Sequence, residues 1–357
     1  MNGDISPSGG IGHIYEHLAF DLDDAGGGTS LSGYQCENPF VDDFLLAVRH
    51  RTATSDYRRY TYFDADDVLS ERIRGFHDSI DGNVPQAIVC GSGATAMLVG
   101  FVSYLRGKGV HTVFYVPPLY FALRVALERF GITALPVADR QPYEPGFSLN
   151  TPSGHSCILV ADPVWYTGTS LSEEMMSCLA DWQKSTQGLV CVDGSMQYMQ
   201  WQGRTAERTA SLDPSLTVRL VCPTKQLAVH GYRFAYYVAP EREARALAWS
   251  CATVSGAVSA ESVAFAHEAM QAVADGHIPR QLIELAARRY WRLRRAGVFD
   301  SQVEPSCGYM AFARINSPVP RSQVLLGGRY FEQARYPDHC KVNLLSPSIG
   351  LLDSGAA

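Results

Sequence analysis

The chain has 357 residues, of which 46% are hydrophobic and 18% charged, with a net charge of −6; it is long enough to bury one large core or two unequal ones. The arginines are scattered and build no basic face, which speaks against nucleic acid as a partner, and no apolar run reaches the roughly 18 residues needed to span a bilayer. Nine cysteines at irregular spacing, without a C-x-x-C pair, suit a reducing cytoplasm and speak against a disulfide framework or a structural zinc site.

Residues 1–50 are glycine-rich and irregular, begin without the basic-then-apolar order of a signal peptide, and carry one helical patch at "VDDFLLAV". A helix "DDVLSERIRGFHDSI" then leads to an apolar strand "AIVC" and the turn "GSG". Next come helix "ATAMLVGFVSYLRGKG", strand "HTVFYVPP", helix "YFALRVALERFG" and strand "ITALPVA". A Pro/Gly-rich loop precedes strand "CILVADP", helix "SLSEEMMSCLADWQKS", and strands "GLVCVDGS", "TVRLVCP" and "RFAYYVAP". Short apolar runs alternating with helical patterns predict an α/β fold with a mostly parallel, doubly wound sheet. The later stretch is helix-rich up to "ARRYWRLRRAG" and ends on strands "CGYMAFARI" and "HCKVNLL", which predict a smaller α+β lobe. The expected division is an N-terminal segment 1–50 joining the small domain, a large domain 51–240 and a small domain 241–357.

Ligands of such sheets sit outside the carboxyl ends of the strands. Those ends are "GSGAT" at 91–95, "PPLY" at 117–120, "DPVWYTG" at 162–168, "DGS" at 193–195 and "CPTK" at 222–225. The last holds Lys225, one of four lysines against twenty-six arginines, in an otherwise apolar segment eight residues before Arg233. A lysine there is costly to keep charged, which marks it as either a snorkelling side chain or an amine kept for chemistry. A helix N-terminus behind Gly93 favours an anion. An imine-forming lysine, an aspartate for a ring nitrogen and a phosphate seat are together what pyridoxal 5′-phosphate requires.

Bland readings stand beside each of these. A "GSG" before a helix is commonly only a tight turn, Tyr120 alone reads as core, and Asp193 as a helix cap. Asp162 reads as structural, and His155 and His230 as structural or surface histidines. Trp165 fits packing at a strand end as well as it fits a pocket wall. Scarcity, position and the spacing to Arg233 set Lys225 apart.

In this order along the chain, the motifs resemble the fold-type I pyridoxal-phosphate enzymes, in particular the class I/II aminotransferase family, from "GYQCENPF" to "HCKVNLL". The resemblance implies pyridoxal 5′-phosphate as cofactor and Lys225 as the catalytic, imine-forming lysine. It places Ser92, Gly93 and Ala94 in the phosphate loop, where Ala94 lacks the usual hydroxyl, and Cys222 in the place of a phosphate-binding serine. Tyr120 falls at the stacking position, Asp193 at the pyridine nitrogen and Arg233 at the phosphate. Tyr60 resembles the tyrosine that reaches the phosphate of a neighbouring subunit, which implies a homodimer with shared sites.

Three positions leave the family pattern. Trp165, 28 residues before Asp193, stands where an asparagine bonds the cofactor's phenolic oxygen; Met196 replaces a tyrosine that reaches the same atom. Lys341 replaces the arginine that clamps a substrate carboxylate, a point charge in place of a bidentate fork, with Arg314 as another source of that charge. Trp165, Lys341 and Tyr34 are the expected substrate-binding residues. The resemblance implies an enzyme that removes the Cα proton of an amino acid and ends in transamination. The alternative is elimination, replacement, cyclisation or annulation on S-adenosylmethionine or a related amino acid, with a second small-molecule acceptor, in natural-product biosynthesis. A non-catalytic descendant of the fold is the remaining reading, opposed by the retention of Lys225, Asp193 and Arg233.

Overall fold

Strands whose residues are apolar on both faces have to lie at the middle of a covered sheet. Three do so here: β4 (Cys157–Ala161), β5 (Leu189–Gly194) and β6 (Thr217–Val221) are buried almost throughout. A computed structural model describes residues 30–63, 67–319, 323–331 and 333–352. With β1 (Ala87–Gly91), β2 (Thr112–Tyr115), β3 (Thr133–Pro136) and β7 (Ala235–Ala239), those strands form a seven-stranded sheet of order β1-β7-β6-β5-β4-β2-β3. The pairs from β3 to β6 are parallel, while β7 runs antiparallel to both β6 and β1.

Alternation along each strand divides the core into two layers. In β5, Cys191 faces one way with Leu159, Val218, Leu220 and Tyr237. Val190 and Val192 face the other way with Ile158 and Val160. The first layer is covered by α3 (Ala94–Gly107), α4 (Phe121–Arg129) and α7 (Glu241–Ser255). Helices α3 and α7 approach closely because position 100 is glycine: a Cβ there would lie 2.7 Å from the Cys251 sulfur and 2.8 Å from its Cα. The second layer is covered by α5 (Glu173–Thr186) over the middle of the sheet. Towards its β1–β7 side the cover is α1 (Asp42–Thr52), α2 (Asp67–Asp81) and α8 (Ala260–Asp275).

A second sheet of order β10-β11-β9-β8 is antiparallel throughout; it comprises β8 (Phe299–Val303), β9 (Met310–Ile315), β10 (Leu325–Leu326) and β11 (Cys340–Asn343). Helix α9 (His277–Arg295) packs on it at β8. The N-terminal segment docks there too: Leu31 N–H donates to Gln323 O, Asn343 N–H to Leu31 O and Glu37 N–H to Leu345 O, at 3.0, 2.7 and 2.7 Å.

One element escaped the sequence reading. Strand β8 was not anticipated, because its sequence FDSQV alternates buried and exposed residues with only two apolar side chains, Phe299 and Val303. Beyond residue 240 the next two helices still pack on the large sheet. Helix α7 lies against α3 and β1, and α8 against α1 and α2, so both belong with the large sheet; α9 is the first helix seated on the small one.

Candidate active site

The carboxyl ends of β1, β4, β5 and β6 face the small sheet, and the short list of strand-end residues meets there. β1 ends at Gly91 and the chain turns through Ser92 and Gly93 into α3. Gly93 has φ +84°, open to glycine but strained for other residues. The Arg233 guanidinium lies directly over it: a Cβ on Gly93 would be 2.6 Å from Arg233 Nη2. Ala94 opens α3, Gly93 caps it without a side-chain acceptor, and the first N–H groups of a helix have no acceptor within it. A guanidinium and a helix N-terminus thus converge on one glycine, a cradle for an anion.

Asp193 is the fifth of the six residues of β5 and is buried. Its Oδ1 accepts from Ser195 N–H at 3.1 Å and Ser195 Oγ at 2.5 Å. Burial pushes its carboxyl up, while the Ser195 contacts and the charge of Lys225 pull it back down. Lys225 stands in the single turn α6 (Pro223–Gln226) directly after β6. Cys222 begins that turn with its sulfur buried in the core of the large sheet, 2.9 Å from Thr224 Oγ1 and 3.9 Å from the Phe234 carbonyl.

Tyr34 joins the two sheets at this point. The Lys225 amine lies 3.6 Å from the centroid of its ring and the Lys341 amine 3.7 Å. Lys341 comes from β11, is fully buried, and sits 5.6 Å from the Trp165 ring. Two lysine side chains against one aromatic ring gain cation–π attraction in their charged form at the cost of mutual repulsion, which a nearby anion such as a carboxylate relieves.

Trp165 follows β4 in the turn closed by the Val164–Thr169 bridge. Its ring meets Tyr120 edge-on at 5.3 Å and packs with Tyr166 at 5.0 Å and Phe331 at 5.4 Å. Packing and wall are therefore the same role here: Trp165 is core on one side and faces Lys341 on the other. Asp162 is structural, its Oδ1 accepting from Leu171 N–H at 2.8 Å, with its carboxyl raised by burial to about 6.

Arg314 does not join the site. It is exposed on β9 and pairs with Asp300 Oδ2 of β8 at 2.5 Å, directly across the strand pair. Met196 is buried in the core of the small sheet, where it abuts Gly308. Tyr60 is 85% exposed and within one chain stays outside the cluster.

His230, which lies between Lys225 and Arg233 in the chain and reads in the sequence as a structural or surface histidine, stands beside the site. Its Nε2 is 3.6 Å from the Cys36 sulfur and 3.5 Å from Tyr309 OH. Burial and then the charges of Lys225 and Arg233 hold the imidazole well below its ordinary value, so it is neutral. Asn343, two residues after Lys341, ties the N-terminal segment to the site by donating to the Gly33 and Gln35 carbonyls at 3.1 and 2.8 Å. Its even spacing from Lys341 on a strand places both on one face, the one signal that pointed to it.

No family model and no curated protein matches the sequence. Solved structures do match in three dimensions. N-succinyldiaminopimelate aminotransferase from Mycobacterium tuberculosis superposes with a TM-score of 0.77 at 15% identity, covering 96% of this chain and 95% of that one. The Escherichia coli protein YbdL, which has a methionine aminotransferase function, gives 0.77 at 14% identity over 98% and 97%. Aspartate aminotransferase from Thermotoga maritima gives 0.75 at 15% identity over 96% of both chains. The chain has the fold-type I aminotransferase fold. Both sheets belong to that fold, the seven-stranded one mostly parallel and the smaller one antiparallel.

Within the aminotransferase fold, the residues present fit pyridoxal phosphate. Gly93 leaves the space that a Cβ would fill, under a guanidinium suited to phosphate. A buried carboxyl whose charge burial disfavours is matched by a ring cation, and Lys225 is the amine beside it. Among the described residues no cluster of side chains is suited to a metal ion, and no helix is long and apolar enough to cross a membrane.

Proposed function

We propose that the protein is a pyridoxal-phosphate-dependent, aminotransferase-like enzyme acting on an amino acid. The observation that carries this reading is the convergence of Lys225, buried Asp193, and Arg233 closed over Gly93 at the ends of neighbouring strands. Pyridoxal phosphate, when bound, supplies an electron sink for the pair released at Cα of an amino acid. Ser92, Gly93, Ala94 and Arg233 hold its phosphate, Tyr120 packs on its ring, and Asp193 keeps its ring nitrogen protonated. The Lys225 amine anchors it and then carries the proton at Cα.

Lys341 takes the substrate carboxylate as a point charge, with Tyr34 and Trp165 as walls. Full burial keeps water from competing for that ammonium, which strengthens its hold on an anion. Neutral His230 adds no third positive charge beside Lys225 and Arg233. The chain acts as a homodimer in which Tyr60 completes the partner's phosphate site. Its support is a surface of exposed aromatic residues, Tyr57, Tyr60 and Tyr62, together with Trp249.

The test is reduction of the cofactor-loaded protein with borohydride followed by peptide mass spectrometry. The label is expected on Lys225 and absent from Lys225→Ala and Lys225→Arg, since guanidinium stays protonated and forms no imine. A label on Lys108, Lys184 or Lys341 would overturn the assignment.

A further inference from the structure

Beyond Trp165 lies a cavity of about 640 Å³ that the reading above leaves unused. We propose that it binds a second small molecule, one with a planar apolar body and a single carboxylate, beside the chamber of Lys225. Its wall is shared with that chamber: Trp165 lines the cavity and also stands 5.6 Å from the Lys341 amine. Among the described residues, Lys225, Asp193, Tyr34 and Lys341 do not line it. The two spaces are neighbours, not one.

The lining sets the chemistry. Pro118, Phe121, Trp165 and Phe331 supply flat apolar surfaces. Phe331 and Trp165 pack with ring centroids 5.4 Å apart, so the flat wall is held in place. Rings offer large contact area at low entropic cost, and they favour a planar partner. On the charged side are Arg124, Arg140 and Arg335 with Asp139 and Glu144. Among the described residues, three guanidinium groups stand against two carboxylates, an excess of one positive charge that a monoanion matches. Glu144 is already engaged, accepting from Gln141 N–H at 2.7 Å. Arg140 and Arg335 each spend one N–H within the protein, on the Pro145 carbonyl at 2.6 Å and on Tyr336 OH at 3.2 Å. A guanidinium has five N–H donors, so each retains a fork for a carboxylate.

The volume is that of a site for a drug-sized ligand, roughly 300–1,000 Å³. The cavity takes its walls from both lobes, from the β2–α4 connection and from Phe331, Gln333, Ala334 and Arg335 ahead of β11, so an occupant spans the cleft between the sheets. Its role as an acceptor for the amino-acid-derived unit rests on the function proposed above. Its existence as a binding site does not.

Calorimetric titration with naphthoate and with its neutral isostere naphthamide tests the site. Naphthoate is expected to saturate a single site and naphthamide to bind about tenfold more weakly, the worth of one charge-assisted hydrogen bond. Arg335→Ala and Arg124→Ala are each expected to bring naphthoate to the naphthamide level, with naphthamide unchanged. Arg335 is exposed and tolerates truncation, so its variant decides if Arg124→Ala misfolds. Loading the protein with phosphopyridoxyl-L-alanine, which fills the Lys225 chamber, is expected to leave naphthoate affinity unchanged. Equal affinity for acid and amide, no saturable binding, wild-type affinity in Arg335→Ala, or displacement by the adduct would each overturn the proposal. If the adduct fails to bind while naphthoate binds as expected, the cofactor reading falls and the site stands.

Discussion

A single methyl group decides the phosphate seat. Gly93 combines φ +84° with an Arg233 nitrogen 2.6 Å from where its Cβ would be, so Gly93→Ala strains the turn and drives the guanidinium away. The expected result is a loss of pyridoxal phosphate affinity of about tenfold or more, read by absorbance titration. The melting temperature of the cofactor-free protein should fall by only a few degrees, about what 1 kcal/mol of local strain produces in a chain of this size. Wild-type affinity in that variant would mean that Arg233 and Gly93 do not form the cradle. The neighbouring charges follow the same economy of position. Lys225 and Lys341 both rest on the Tyr34 ring, and the neutral state of His230 spares the chamber a further cation.

At the scale of elements, the sheet is locked to its outer helices by a buried polar network. Arg219 in the middle of β6 donates to Asp81 Oδ2 of α2 at 2.6 Å and to Tyr198 OH at 2.8 Å, and His77 Nδ1 stands 2.9 Å from the same carboxylate. The two charges hold each other: Arg219 and the hydrogen bonds of its neighbours keep the Asp81 carboxyl well below the usual range against burial. At Glu207, beside this network, burial outweighs the Tyr198 N–H it accepts and the charge of Arg219, and raises its carboxyl from 4.5 to about 8. A raised acid stabilises the fold fully below its unfolded value and loses that contribution as pH climbs to the folded one. Stability from Glu207 should therefore fall between pH 4.5 and about 8, by at most about 1.4 kcal/mol per pH unit. Glu207→Gln, still able to accept from Tyr198 N–H and uncharged throughout, should melt progressively higher than wild type as pH rises across that window. Parallel melting curves against pH would show that Glu207 is not the group responsible. Asp162, raised to about 6, leaves a smaller slope of the same sign in both proteins. None of this was legible in the sequence, because Arg219 and Glu207 look like ordinary surface charges until the helices that cover them are placed. The parallel strands were legible, since burial on both faces writes itself as an unbroken apolar run in "CILVA" and "LVCVDG". Strand β8 was not, since a sheet covered on one face needs only alternate apolar residues, and Asp300 and Gln302 fill the rest. Lys225 stood out by rarity, its strand-end position and its spacing to Arg233, whereas His230 needed Cys36 and Tyr309, far away in sequence, to gain a role.

At the scale of the molecule, one chain leaves its aromatic residues in an unusual place. Tyr57, Tyr60, Tyr62 and Trp249 are 61, 85, 50 and 71% exposed. The segment that carries the tyrosines is pinned in position, because Thr61 pairs with Val258 through Val258 N–H at 3.0 Å and Thr61 Oγ1 to Val258 O at 2.9 Å. Tyr62 and Trp249 line one hollow together with Arg245 and Thr253. Solvent contact costs apolar surface of this size more than a partner would, and a pinned segment is already ordered for association. In the proposed dimer Tyr60 crosses to the other chain, so each phosphate site draws on two subunits. A Tyr60→Ala chain retains its own Lys225, and a Lys225→Ala chain retains Tyr60. Mixed after subunit exchange, the two variants should form heterodimers that contain one site with both residues intact. Retention of cofactor as a borohydride-stable adduct in that mixture should rise above the average of the separate variants, towards a quarter of the wild-type value (about half the dimers are mixed, and each carries one whole site of two). Sedimentation at the same concentrations checks that dimers are present. An unmixed average from a sample that sediments as exchanged dimers would place Tyr60 outside the phosphate site, and a wild-type chain that stays monomeric with full cofactor retention would remove the shared site altogether.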